Sequence, residues 1–248
     1  MTKLSLHVGI NRLDPAAYAG FEGWLRGCEN DATGLAALAV GQGYTSLGLL
    51  TDRATRADFR ALMAQAADKL LPGDWFFLSF AGHGTQFNSP TSEYGLREAL
   101  CFFDGPLRET TFRRLLASFR PGVNIRVVLD CCYAAGFERA TPFGSRRPRS
   151  LPAEVARRIT PPEAHPPGLS AASIALLCAA DVPEVSYDGP VFGVWTGALL
   201  EAWSRALKPT SIQTWFELAR VIVDESKTLQ TPQLRWLGAP AEPESAAL

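Results

Sequence analysis

A chain of 248 residues with 47% hydrophobic content can form one large α/β domain or two small ones, and it is apolar enough to bury a sizeable core. Its formal net charge of -1 supplies no overall field for nucleic acid or a membrane surface, so neither is an expected partner. No apolar run reaches the about 18 residues that span a bilayer, and the opening MTKLSLHVGI has no apolar core followed by a small-residue cleavage site, so a cytoplasmic protein is expected. The five cysteines, Cys28, Cys101, Cys131, Cys132 and Cys178, are odd in number and show no repeated metal-type spacing, which points to free thiols.

In chain order, unalternating apolar runs at 4–10, 46–52, 75–82, 124–130 and 173–180 predict central strands covered on both faces. Between and after them, apolar residues at three- and four-residue spacing predict helices over 31–42, 55–71, 110–119, 194–207 and 212–226, with Thr55 or Asp52 capping the second. Strand alternating with helix predicts an α/β fold, a mostly parallel central sheet with helices on both faces. In such folds sites collect at the carboxyl ends of strands.

The stretch 137–169 breaks this rhythm, being rich in proline and holding six arginines against three glutamates. A long unstructured loop inside a compact domain is usually functional or disordered. It separates a front part, 1–136, from a back part, 170–248, within a single domain of 1–248.

Of the three histidines, His7 lies inside the first predicted strand and His165 in the proline-rich loop, whereas His83 follows the third strand in FAGHGTQ. The flanking Gly82 and Gly84 let the backbone turn and approach a ligand closely. Cys131 and Cys132 follow the fourth strand, so central parallel strands would bring His83 and one of the two cysteines to the same rim. A free thiol is only a few per cent ionised at neutral pH, and a neighbouring imidazole can take its proton on attack. The backbone amides of Gly84 and of the nucleophilic cysteine can then serve as the oxyanion hole. A lone cysteine at a strand end is more often an inert core residue, and it is the combination with a glycine-flanked His 49 residues upstream of Cys132 that carries the chemistry.

GCENDA (27–32), GYTSLGLLTD (43–52), GDWFFLSFAGHGTQ (73–86), VVLDCCYAAG (127–136), GALLEAW (197–203) and QTPQL (230–234) resemble, in order, the motifs of caspase-like cysteine proteases, specifically the prokaryotic and metacaspase branch. The resemblance spans nearly the whole chain and implies the caspase-like three-layer sandwich. The family's fourth motif ends in Asp-x-Cys with the second cysteine acting, which selects Cys132 as nucleophile beside His83 and leaves Cys131 facing the other way if strand alternation persists.

Metacaspases carry acidic residues where animal caspases have a basic pocket, and those positions match Asp31 and Asp130. Converging carboxylates repel one another, and a substrate arginine relieves that penalty with its planar fork. Cleavage after Arg, with Lys second, is the implied activity. The plainer reading has Asp31 capping a helix that begins near Ala32 and Asp130 ending a strand. Three departures from the family stand out. Glu93, Glu98 and Asp104 are too sparse to assure a hard-cation cage, which weighs against calcium dependence, and no other cofactor is implied. Ala81 replaces a pocket serine, and Tyr133 and Ala134 replace the His-Ser that usually follows the nucleophile.

Family members are often cut between a large and a small subunit, where this chain offers Arg139, Arg146, Arg147, Arg149, Arg157 and Arg158 as processing sites. The resemblance thus implies a zymogen activated by cutting at 137–169, by itself or by an upstream protease. Bacterial relatives often act in defence or programmed death, beside sensor proteins. The alternative is a catalytically inactive caspase-like module used for binding. A strand-end cysteine phosphatase is excluded, because six residues rather than five lie between Cys132 and Arg139. A nucleic-acid arm at 137–169 has only Phe137 and Phe143 to stack on bases.

Overall fold

The computed structural model describes residues 1–88, 96–132, 147–159, 172–181, 184–206, 208–237 and 248. In chain order the elements are β1 (Lys3–Gly9), α1 (Cys28–Gly41), β2 (Thr45–Leu50), α2 (Arg56–Lys69), β3 (Trp75–Ala81), β4 (Gly84–Asn88), β5 (Leu96–Phe102), β6 (Gly105–Arg108), α3 (Glu109–Ala117), β7 (Asn124–Asp130), β8 (Arg147–Pro148), α4 (Ala153–Arg158), β9 (Ser173–Cys178), β10 (Tyr187–Asp188), α5 (Val194–Arg205), α6 (Ile212–Glu225) and β11 (Gln233–Leu237). The six-stranded central sheet has the order β11-β9-β7-β3-β1-β2. Its neighbours pair in parallel except β11, which runs antiparallel to β9. The predicted strands and helices are all present, and Thr55 rather than Asp52 caps α2, its hydroxyl accepting from the Asp58 amide.

The strands are apolar on both sides because both faces are covered. Along β7, Ile125, Val127 and Leu129 enter the core shared with α2 and α3, while Val128 enters the one shared with α1, α5 and α6. Cys131 continues the first series and lies in that core, so the two adjacent cysteines do diverge. The second face also holds a buried polar group: His7 Nδ1 meets Ser79 Oγ at 2.8 Å and its ring stands edge-on to Phe77. Arg126, also buried there, lies with its guanidinium 4.9 Å from the Trp75 ring and 5.4 Å from Trp236. Aromatic faces give that cation a partner in place of the water it has lost.

Three expectations change. β2 is an edge strand with most of its residues exposed, because its apolar letters continue a run without a second neighbour to cover them. A separate antiparallel sheet, β4-β5-β6, comes after the third central strand, formed by a segment whose polar residues hid the pattern. The 137–169 segment is not wholly loop: it contributes β8, paired antiparallel with β10, and α4. Arg139 and Arg146 lie outside the described residues.

Burial lowers the His7 pKa to about 3, so the folded protein keeps the ring neutral where the unfolded chain, near 6.5, would protonate it. The unfolded state therefore binds the extra proton, and this residue's contribution to stability is full above pH 6.5 and lost as pH falls toward 3. His7→Asn is expected to reduce the slope of unfolding free energy against pH between 4 and 6 by ~1.4 kcal/mol per pH unit. Urea melts across that range check it, and an unchanged slope refutes it.

Candidate active site

Strand register sets the dyad. Gly9, Ala81 and Asp130 are aligned across β1, β3 and β7, so the three chains leave the sheet together at its carboxyl rim. His83 and Cys132 each lie two residues beyond an aligned pair, Ala81 and Asp130, on neighbouring strands. Both are buried.

His83 Nε2 lies 2.8 Å from the Gly23 carbonyl oxygen. A carbonyl only accepts, so Nε2 carries the hydrogen and Nδ1 holds the lone pair of a neutral imidazole. Nδ1 makes no hydrogen bond of ordinary geometry among the described residues, although the Ser150 backbone lies close enough to the ring to favour its protonation. Phe21 stands edge-on to the ring at 5.9 Å. Burial is the main cause holding the His83 pKa down, to about 4, partly offset by the Gly23 carbonyl. Burial likewise pushes the Cys132 thiol up, well above its usual range. Burial thus favours the neutral form of both thiol and imidazole. The Cys132 sulfur accepts from the Ser186 amide at 2.9 Å and donates to its carbonyl at 3.2 Å.

The cleft beside the dyad is filled by the chain itself. Arg149 is fully buried, and its Nη2 reaches Asp31 Oδ2 at 2.5 Å and Asp188 Oδ1 at 3.0 Å while Nη1 reaches Asp130 Oδ2 at 3.0 Å. Its backbone is held as firmly as its side chain. The Arg149 carbonyl accepts from the amides of Gly84 at 3.0 Å and Cys132 at 3.2 Å, and its own amide donates to the Ser186 carbonyl at 2.9 Å. The preceding Arg147 and Pro148 pair antiparallel with Asp188 and Tyr187. Pro148 takes a place in that pairing where an amide hydrogen is not required of it, between the bonded positions 147 and 149. Two amides converging on one carbonyl beside a thiol are what acyl transfer requires of an oxyanion hole.

Each carboxylate is oriented by further donors. Asp31 Oδ1 accepts from the Gly193 amide at 2.9 Å. Asp130 accepts from Ser186 Oγ at 2.5 Å, and from the Thr196 hydroxyl at 2.8 Å and amide at 3.0 Å. Asp188 accepts from the amides of Arg26 and Gly27 at 2.7 and 3.0 Å. Burial above all, with Asp130 nearby and against the pull of Arg149, raises the Asp31 pKa to about 7. Burial opposes the charge of Arg149, yet Asp130 first, and then Cys28, Asp31 and Asp188, hold its guanidinium well above its usual value. Removing one member of such a buried cluster leaves uncompensated charge, at a cost of about 3 to 5 kcal/mol.

The structure thus gathers His83, Cys132, Gly84, Asp31 and Asp130 at one site. Asp31 does not cap a helix beginning near Ala32; α1 starts at Cys28 with Gly27 before it, and Asp31 lies in the first turn facing Arg149. Of the arginines at 137–169, Arg147 is exposed and donates to the Trp24 carbonyl at 3.0 Å, and Arg157 and Arg158 are exposed on α4, whereas Arg149 is sealed inside. Gly84 serves by close approach rather than by turning: a Cβ there would lie 1.5 Å from the Cys132 carbonyl oxygen. The hydroxyl missing at Ala81 has counterparts in Ser186 and Thr196, both bonded to Asp130. Tyr133, Ala134 and Glu93 lie outside the described residues. Glu98, whose pKa burial raises to about 7, and Asp104, paired with Arg56 at 3.3 Å, belong to no group of three or more potential metal ligands among the described residues.

Sequence reasoning missed Asp188, Ser186, Gly193 and Gly23. The first two come after β9, whose carboxyl end shares the rim, so the segment after 180 was the place to look. Gly193 walls the arginine site, where a Cβ would stand 2.4 Å from Asp130 Oδ2 and 2.6 Å from the guanidinium carbon. Gly23 has a φ of +57°, and a Cβ there would come 2.9 Å from His83 Nε2. Gly23→Ala is therefore expected to keep the fold, at a cost of about 1 to 2 kcal/mol, but to displace the imidazole and slow the reaction of the Cys132 thiol with an electrophile on the order of 100-fold. Melting temperature and labelling of Cys132 by an arginyl thiol-reactive probe separate the two effects.

Comparison with known proteins agrees with this geometry. The family model described as Caspase domain matches residues 10–237. The crystal structure of protein GSU0716 from Geobacter sulfurreducens superposes with a TM-score of 0.85 at 30% identity, covering 97% of this chain and 95% of that one. No curated protein matches the sequence at a significant level. The family model spans His83 and Cys132 together with five of the six strands of the central sheet, and the chain belongs to the caspase-domain family.

Proposed function

We propose that this protein is a cysteine endopeptidase that cleaves after arginine, made as a precursor whose own Arg149 fills the substrate site. The observation that carries it is the placement of Arg149: guanidinium among Asp31, Asp130 and Asp188, carbonyl between the amides of Gly84 and Cys132. The bond after that carbonyl, Arg149–Ser150, is then the one the precursor cuts.

In that reaction His83 Nδ1 takes the thiol proton as Cys132 Sγ adds to the Arg149 carbonyl carbon, and the oxygen's developing charge is met by the two amides. The imidazolium passes its proton to the Ser150 nitrogen, the C–N bond breaks, and a thioester remains. Ser150 and His83 line the same cleft, which suits that transfer. Water, deprotonated by His83, then attacks the thioester and restores the thiol, leaving a carboxylate on Arg149. The fragments are residues 1–149 and 150–248, a large and a small part as the family divides them. Departure of Arg149 from the site admits arginines of other proteins. Lysine fits less well because one ammonium cannot span three carboxylates as a planar fork does. The setting carried over from bacterial relatives, defence or programmed death triggered by an upstream protease or a sensor protein, suits an enzyme whose cleft is closed until the loop moves.

Purified wild type is expected to yield a fragment whose amino terminus reads SLPAEV, and Cys132→Ala and Arg149→Gln to stay uncut. Fluorogenic peptides differing only in the residue before the bond are expected to give kcat/KM about 10-fold or more higher for Arg than for Lys, none for Asp, and no loss in chelator. Amino-terminal sequencing and initial rates check these outcomes. A chain that is never cut, and stays silent toward Arg peptides after its loop is opened artificially, is an inactive binding module instead.

A further inference from the structure

The strap that carries Arg149 does not end at the scissile bond. Ser150 bridges Gly84 in parallel register, and the Leu151 amide donates to the Gly84 carbonyl at 3.2 Å, so the chain stays extended along the start of β4. The Leu151 side chain is only 3% exposed and belongs to the main core beneath the central sheet, together with Val155 in the first turn of α4. Ile159 packs against the same core, so positions 151, 155 and 159 form one apolar stripe, while Glu154, Arg157 and Arg158 face out.

Two features separate this from ordinary core packing. The segment is held to β4 through the backbone of Gly84, the same residue whose amide holds the Arg149 carbonyl, so the position of Leu151 is fixed relative to the reacting carbon. Leu151 also stands two residues beyond Arg149, so cutting there leaves it near a new chain end, covalently joined to the body only through the residues on its carboxyl side. Once Ser150 is an amino terminus, its charge beside the buried His83 opposes the bound arrangement, and withdrawal of the strap uncovers an apolar recess at a set distance from the thiol.

Resting on the protease reading, we infer that this recess is a specificity site on the leaving-group side of the cleft. It takes Leu151 in the precursor and an aliphatic side chain, two residues after the cleaved arginine, in substrates cut in trans. The substrate class is an extended polypeptide reading Arg-x-Leu, with Ile or Met as near equivalents, where acidic or amide side chains at that position are refused. Refusal comes from burial: a carboxylate there would be desolvated with no partner.

The test uses the wild-type enzyme after self-cutting and two internally quenched peptides built on its own strap, RPRSLPAE and RPRSDPAE, with RPR-aminocoumarin as a substrate lacking residues beyond the bond. The leucine peptide is expected to exceed the aspartate peptide by about 10- to 100-fold in kcat/KM, while RPR-aminocoumarin is cut at a rate indifferent to added leaving-group peptide sequence. Equal rates for the two peptides overturn the inference and leave the arginine protease standing. If RPR-aminocoumarin is also untouched, the protease reading fails and this inference fails with it. In the precursor, Leu151→Met is expected to self-cut within about 3-fold of wild type and Leu151→Asp about 10- to 100-fold more slowly. The peptide series decides the matter even if the aspartate variant does not fold.

Discussion

The guanidinium of Arg149 among three buried carboxylates is the interaction on which the rest of the arrangement depends. Asp31 comes from the first turn of α1, Asp130 from the end of β7 and Asp188 from β10, so one side chain ties together parts of the chain far apart in sequence. Without a cation, three such groups could not stay ionised together in a space that water does not reach. The cluster is therefore a site that requires a cation, and the chain supplies one of its own in Arg149.

That requirement couples the pocket to the nucleophile. Asp130 ends the strand that leads to Cys132, and its carboxylate is held by Ser186, whose amide meets the Cys132 sulfur and whose carbonyl meets the Arg149 amide. Binding of an arginine and orientation of the thiol thus share a single residue. On the other side, the Gly23 carbonyl fixes which nitrogen of His83 is free to accept a proton. Burial favours the neutral form of both His83 and Cys132.

Much of this was legible in the chain. The five apolar runs identified five of the sheet's strands, the rim rule brought His83 and Cys132 together, and the resemblance of the fourth motif singled out Cys132 while Cys131 went to the core. The acidic pair Asp31 and Asp130 was recoverable from motif order. The third acid was not, because Asp188 lies in the two-residue strand β10, too short for any periodicity to mark it. Nor did composition reveal that Arg149 differs from its neighbours at 147, 157 and 158, since all are arginines in a proline-rich basic stretch.

The sequence by itself determined five of the six strands of the central sheet, the two helical layers, the placement of His83 and Cys132 just beyond two strand ends, and the sign of charge near them, because these depend on local periodicity and on residues close to strand ends. Tertiary structure alone decided which arginine fills that pocket, which backbone amides face its carbonyl, and which carbonyl orients the histidine. Those choices depend on register and on the close approach of chains distant in sequence, which the missing Cβ at Gly23, Gly84 and Gly193 permits.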